Sequence, residues 1–376
     1  MSPRDARHAA AREMGALEQR KEDCRDARGL ALVDTVSQDV RYALRTLRRA
    51  PAFTSVAILS LALGIGASTA IFSLWNGMLH ASLPGVREPE QLVMLSNPDD
   101  TGMWTGRWEG RTDGPRSWLT YAEFEQLRDH ADGFAALMAS QSSYMTWQAL
   151  IDGDASEVVR GRLVSGGFFD MLGVSPAIGR LFTTESDRVE TFDAVISYGY
   201  WQRRFGGRAE VLGKRFTIRS TPLTIIGVAD RGFVGETAAQ QPDVWLPARL
   251  QPRVLPGSDW LRDTPPEKRM WLQVFGRLKP GVTDTQAEAQ ANAIFQRGLE
   301  SFNCAEMSIE RRREFLDQRL ELRSGARGAS SIRPRLALTL TALLVAVIVI
   351  LLIACANLAN LLLARGAARR AEIALR

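Results

Sequence analysis

Cysteine is scarce here. Cys24, Cys304 and Cys355 are the whole complement, and no two of them share a compartment under the topology argued below. A disulfide framework is therefore not expected, and no pair has metal-ligand spacing. Histidine is equally thin: His8, His80 and His130 are too scattered for a metal site. Enzymatic motifs are missing as well. Residues 207–214 resemble a phosphate-binding loop, but the first glycine stands one position early and Arg215 occupies the hydroxyl position. A hairpin, not a helix, is expected after it. Residues 173–177 fail the nucleophile-elbow pattern at its last glycine. The acidic pairs Asp99–Asp100 and Asp152/Asp154 sit in Gly-rich or Pro-rich segments and read as solvated turns. No catalytic residue, cofactor or metal is expected.

Charge is absent from two long stretches. Residues 50–83 hold no Lys, Arg, Asp or Glu, and the apolar core at 53–79 exceeds the ~20 residues that a helix needs to cross a bilayer. It is too long and too centrally placed for a signal peptide. Residues 336–364 form a second charge-free run of spanning length. The net charge of +5 admits a nucleic-acid reading. The arginines, however, cluster beside the apolar runs, which points to membrane topology and to no nucleic-acid partner. Arg41, Arg45, Arg48 and Arg49 precede the first run; Arg365, Arg369, Arg370 and Arg376 follow the second. Positive flanks mark the cytoplasmic side. Both termini are expected inside, with the roughly 250 residues between the spans outside, since long domains translocate largely regardless of charge.

The stretch before the first span, at 39–50, reads as an interfacial amphipathic helix. Val40, Ala43, Leu44 and Leu47 share a face at helical spacing, with arginines beside them at the lipid head groups. Within the first span Ala62, Gly66 and Ala70 recur every four residues, with Gly64 and Ser68 alongside. Small residues at that spacing let helices approach closely in lipid, and Asn357 and Asn360 in the second span can bond between helices. Helix packing is favoured over a substrate pathway for all five.

The intervening region alternates helix and strand signals. Thr120 with Glu123 forms a capping box ahead of a helix. Residues 165–176 read as a short helix capped by Ser165, closed at Gly173 and stopped by Pro176. Residues 193–197 read as a buried strand. Residues 213–229 read as a hairpin that turns at Ser220, Thr221 and Pro222. Residues 243–247 and 270–277 are strand-like, and Pro280-Gly281 is a turn. Thr283 and Gln286 form a second capping box. The expected fold class is α+β or α/β: an extracytoplasmic domain inserted between two transmembrane helices.

The ordered blocks then resemble a known family. "DVRYALRTLRRAPAFTSVAILSLALGIGASTAIFSLWNGML" resembles the first span of the acidobacterial duplicated permeases, within the MacB/FtsX-like ABC transporter permeases. "LVSGGFFDMLGVSPAIGRLFTTESD", "VISYGYWQRRFGGRAEVLGKRF", "LTIIGVADRGFVGE" and "VFGRLKPGVTDTQAEAQ" resemble successive blocks of the MacB-type periplasmic core domain. "ACANLANLLLARGAARRAEIALR" is similar to the second span and the start of the cytoplasmic segment after it. The resemblance implies an organisation: a cytoplasmic helical prefix remnant at 1–38, the interfacial helix at 39–50 and transmembrane helix 1 at 53–79. A periplasmic core at 84–333, transmembrane helix 2 at 336–364 and the start of a coupling segment at 365–376 follow.

The same resemblance implies a multi-pass permease of the bacterial inner membrane. It would couple ATP hydrolysis by a separate cytoplasmic ATPase to conformational work of the periplasmic domain, in export or efflux. Expected partners are that ATPase, further permease spans or a second protomer, and membrane lipids. Arg369, Arg370 and Glu372 are the candidate ATPase contacts. Family members continue into third and fourth spans, so a truncated chain is expected. The alternatives are a two-span membrane-anchored sensor or binding module, or a non-functional permease fragment.

Overall fold

The computed structural model describes residues 36–38, 40–41, 45, 48, 51–79, 82–95, 118–151, 155–237, 241–257, 259–262, 270–301, 308–330 and 332–374. The rest of the prefix, Asp99, Asp100, Asp152, Asp154, Cys24 and Cys304 lie outside them. Of the expected interfacial helix, Val40, Arg41, Arg45 and Arg48 are described; each is helical and exposed.

Helix α1 (Pro51–Leu79) opens on a proline, which the first turn tolerates because its missing N–H has no partner there anyway. Its Thr54–Gly77 stretch is long and apolar enough to cross a membrane. The domain that follows begins with β1 (Leu92–Met94) and α2 (Tyr121–His130). The first capping box forms as expected. Thr120 Oγ1 accepts from the Glu123 N–H at 3.1 Å, and Glu123 Oε2 accepts from the Thr120 N–H at 2.9 Å. Next come β2 (Phe134–Gln141), β3 (Met145–Ile151), β4 (Ala155–Val164), α3 (Phe168–Leu172) and β5 (Pro176–Gly179).

Ser165 does not cap α3. The capping position is Gly167, and the Ser165 hydroxyl instead accepts from the Ala139 N–H on β2 at 2.9 Å. A long-range backbone donor has outcompeted the local one. Gly173 closes the helix in the left-handed region as expected.

Then follow β6 (Asp193–Ile196), α4 (Tyr198–Phe205), β7 (Arg215–Ile218), β8 (Thr221–Ala229), β9 (Val244–Pro247), α5 (Gln251–Val254) and β10 (Leu272–Leu278). The β7–β8 hairpin turns on Arg219 and Ser220, both at positive φ, earlier than expected. Thr221 and Pro222 already pair with Ile218 and Thr217. A two-residue turn with both φ positive matches the twist of the flanking strands, and that geometry outweighs the turn preference of Pro222. The second capping box, Thr283 with Gln286, opens α6 (Asp284–Glu300). Finally come α7 (Ile309–Leu316), β11 (Arg323–Ser324) and α8 (Ile332–Ala374). The Leu336–Asn360 part of α8 is again long and apolar enough to span.

The strands form one connected sheet whose order is β11-β1-β10-β2-β4-β3-β7-β8-β6-β9, and β9 returns to pair with β4. Strands β4, β3, β7, β8, β6 and β9 therefore close into a small barrel. Among the described pairs of named strands only β4–β9 and β6–β8 run parallel, so the domain is α+β rather than α/β. Alternate residues fill the barrel: Trp147, Ala149, Val159, Leu163, Ile196, Phe216, Ile225 and Leu246 belong to one buried cluster. Gly161 also lies in this interior, and a Cβ there would meet the Trp147 ring at 1.8 Å. The glycine is what lets the indole lie flat across the strand.

The same apolar cluster extends under α2 and α6, on one face of the open part of the sheet. A second cluster lies on the opposite face. Here Phe168, Phe169, Phe182, Phe233 and Trp245 pack together, with Phe233 and Trp245 stacked at 5.5 Å between ring centroids. Such pairs contribute about 0.5–1.5 kcal/mol beyond area burial.

The chain divides into two units, Met1–Phe72 with Ala342–Arg376, and Ser73–Thr341.

Candidate functional site

Within Ser73–Thr341, the ends of the two apolar helices meet the domain at one place. Trp75 Nε1 donates to Thr341 Oγ1 at 3.2 Å. After α1, the Leu83 N–H donates to the Ala326 carbonyl at 3.1 Å, so the segment leaving one helix bonds the segment leading into the other. Leu83 and Ala329 both insert into the second apolar cluster, beside Phe233 and Trp245.

Arginine clamps hold each segment. Arg277 on β10 donates to the carbonyls of Arg87 at 2.6 Å and Glu88 at 3.3 Å, and to Gln91 Oε1 at 3.2 Å. Arg333 at the start of α8 donates to the carbonyls of Arg327 at 2.7 Å and Gly328 at 3.2 Å. A guanidinium suits this task because its fork satisfies several carbonyls at once. Gly328 has φ +65°, and a Cβ there would stand 2.1 Å from the Glu236 carbonyl oxygen. No other residue fits that approach.

Glu236 joins this junction to the barrel. Its carbonyl accepts from the Ala329 N–H at 3.1 Å, while its side chain, 0% exposed, faces Arg162 of β4, 1% exposed, at 2.9 Å between Nε and Oε1. The contact is an ion pair whose angles fall short of a hydrogen bond. Arg162 also donates to Thr237 Oγ1 at 2.6 Å and Gln273 Oε1 at 3.2 Å, and reaches Ser140 Oγ at 3.5 Å. Its guanidinium lies 4.5 Å from the centroid of the Tyr144 ring, and burial pushes the Tyr144 phenol above its ordinary range. A buried charge is tolerated only when paired and hydrogen-bonded; here one arginine gathers β2, β4, β10 and the 236–237 segment. This chain of contacts links the barrel to both helix ends.

Sequence reasoning missed Arg162 and Glu236. The signal was an arginine inside "RGRLV", an apolar-flanked run in which Gly161 and Leu163 point into the barrel and Arg162 therefore points out. Nothing local says that its outer face is covered.

The sequence-predicted packing residues are elsewhere. Ala62, Gly66 and Ala70 are exposed on α1, and nothing lies within 4 Å of a Cβ placed on Gly66. Gly64 instead faces α8, with Leu351 Cδ1 at 2.8 Å from its built Cβ. Asn357 and Asn360 are exposed on α8. Arg369, Arg370 and Glu372 belong to the helical part of α8, with side chains outside the described set. Among the described residues no cluster of His, Cys, Asp or Glu could hold a metal.

The MacB-like periplasmic core domain family matches residues 54–294. The macrolide export ATP-binding/permease proteins MacB of Salmonella paratyphi A and Salmonella typhi are each 26% identical over 144 residues, 38% of this chain and 20% of theirs. The chain thus spans about a fifth of the length of the curated relatives it matches. The periplasmic region of MacB from Actinobacillus actinomycetemcomitans is similar at 13% identity and TM-score 0.39, over 61% of this chain and 88% of that one. The extracellular domain of the transporter YknZ from Gram-positive bacteria is similar at 16% identity and TM-score 0.37, over 49% and 86%.

Proposed function

The chain belongs to the MacB-like periplasmic core domain family of ABC transporter permeases, and from that membership we propose that it couples ATP hydrolysis by a separate cytoplasmic ATPase to conformational work of its outer domain, in export or efflux. The family and the two apolar helices suggest an inner-membrane protein. In this reading both termini are cytoplasmic and the barrel domain is periplasmic. Arg369, Arg370 and Glu372 meet the ATPase, while Ala62, Gly66, Ala70, Asn357 and Asn360 pack against further permease helices.

One observation carries the proposal: the two helix ends are bonded to each other, through Leu83 and Ala326, and to the barrel, through Ala329, Glu236 and Arg162. A change in helix separation driven from the cytoplasm would strain these bonds first. A merely tethered domain would need neither the clamps nor a buried charge at its attachment.

The test is co-reconstitution in nanodiscs with a candidate ABC ATPase. A cysteine replacing Arg327 reports the junction, with Cys24, Cys304 and Cys355 replaced by serine. ATP is expected to change its labelling rate, and the Glu236→Gln variant to lose that response while still binding the ATPase. In intact cells a cysteine at Gly207 should label from outside and one at Arg20 should not. An ATPase that binds without altering labelling overturns the coupling, and the reverse labelling pattern overturns the topology.

A further inference from the structure

On the barrel flank, remote in sequence from the junction residues, the chain between α4 and β7 builds a cavity of about 690 Å³ lined by Arg204, Phe205, Arg208, Glu210, Val211 and Lys214, with Gly206 at its rim. That volume falls in the range of small-molecule sites, roughly 300–1,000 Å³. The cavity is rigidly framed. Trp201 Nε1 donates to the Arg208 carbonyl at 2.8 Å. The Gly213 N–H donates to Ile225 O at 2.9 Å, and the Ile225 N–H donates to Lys214 O at 3.0 Å. These bonds fix the backbone that carries the lining residues.

Its chemistry is lopsided. Three cations and one carboxylate line it. Arg204 is oriented by Glu157 at 3.0 Å, and Glu157 also accepts from the Tyr200 hydroxyl. Arg208 shows no side-chain partner among the described residues. Two cations approach the Phe205 ring, the Arg204 guanidinium at 5.6 Å and the Lys214 ammonium at 6.0 Å from its centroid. A ring flanked by cations offers an apolar face beside a site for negative charge. An arginine fork binds phosphate or carboxylate oxygens in pairs, whereas a cationic ligand meets repulsion.

We propose that this cavity binds an anionic amphiphile: a phosphate group carried on an apolar body, with the phosphate on Arg208 and Lys214 and the body on Phe205. Two sources share that chemistry, a phospholipid and a soluble phosphorylated compound.

The test is calorimetric titration of phenyl phosphate into the full chain in phosphatidylcholine nanodiscs. Saturable binding is expected, tighter than for inorganic phosphate and weakened by salt. The Arg208→Ala/Lys214→Ala variant is expected to lose about tenfold or more, the effect of losing one charge-assisted hydrogen bond. The Glu210→Gln variant should bind more tightly, a gain that a folding defect cannot mimic. Benzyltrimethylammonium should not bind. Weaker phenyl phosphate binding in phosphatidylglycerol nanodiscs assigns the site to a lipid; equal binding assigns it to a soluble compound. Absence of saturable binding, or affinity unchanged in both variants, overturns the proposal.

Discussion

Replacing Glu236 by glutamine should unsettle this domain more than almost any other single change. The substitution keeps the shape and removes the charge, leaving Arg162 cationic at 1% exposure. Removing one partner of a buried pair costs about 3–5 kcal/mol, since the remaining charge has lost its counter-ion. Thr237, Gln273 and Ser140 still accept from the guanidinium, but they are neutral. Arg162→Met should cost as much, because it strands the Glu236 carboxylate and forfeits the contact with the Tyr144 ring at 4.5 Å; a desolvated cation–π contact contributes about 2 kcal/mol. The double variant Arg162→Met/Glu236→Leu removes both charges, and apolar replacement of a buried pair is often neutral. It should therefore be more stable than either single variant, with a coupling of roughly 3 kcal/mol or more. For a domain of this size each kcal/mol moves Tm by roughly 2–4 °C, so the single variants should melt roughly 6–20 °C lower. Thermal and urea unfolding of the four proteins, followed by tryptophan fluorescence, completes the cycle. A coupling below about 0.5 kcal/mol would show that the two charges do not depend on each other, and the junction would lose its tie to the barrel.

Two further outcomes are expected. Gly161→Ala should destabilise by about 1–3 kcal/mol, because its Cβ would overlap the Trp147 ring at 1.8 Å and overpacking costs that much; Trp147→Leu in the same chain should restore part of the loss, and unchanged urea midpoints would show that the indole moves freely. Asp187 is 3% exposed, and burial raises its pKa despite the Gly166 N–H and the nearby Arg128 and Arg249. The native state therefore holds this proton more tightly than the unfolded chain, so the associated stability is full below pH 3.8 and is lost as pH rises through the folded value. Asp187→Asn cannot ionise, so its stability relative to the parent should climb as pH rises above 3.8; a flat or falling difference in urea unfolding over that rise would refute the assignment.

Local signals in this sequence are strong where a few neighbours suffice to satisfy them. Thr120 with Glu123 and Thr283 with Gln286 cap their helices through contacts three residues apart. The two charge-free runs become helices because every backbone polar group is bonded within the segment itself. Strand β9 and the β7–β8 hairpin were legible from apolar composition and alternation. Legibility failed where the partner is distant. Ser165 looked like a cap and serves Ala139, 26 residues away. Strand β3 is poorly legible, although it buries Trp147, Ala149 and Ile151 in alternation, because the outward-facing Leu150, 41% exposed, is apolar too.

The sequence by itself determined two apolar helices, an inserted domain of mixed helix and strand and the capping of its two long helices. Tertiary structure decided that β9 returns to β4 and closes a barrel. It also decided that Arg162 is buried, with partners at Thr237 and Gln273 that lie 75 and 111 residues away. An arginine is exposed by default; only the closed sheet, the loop carrying Glu236 and the aromatic layer around it remove water from that position, and no short stretch of sequence encodes their meeting.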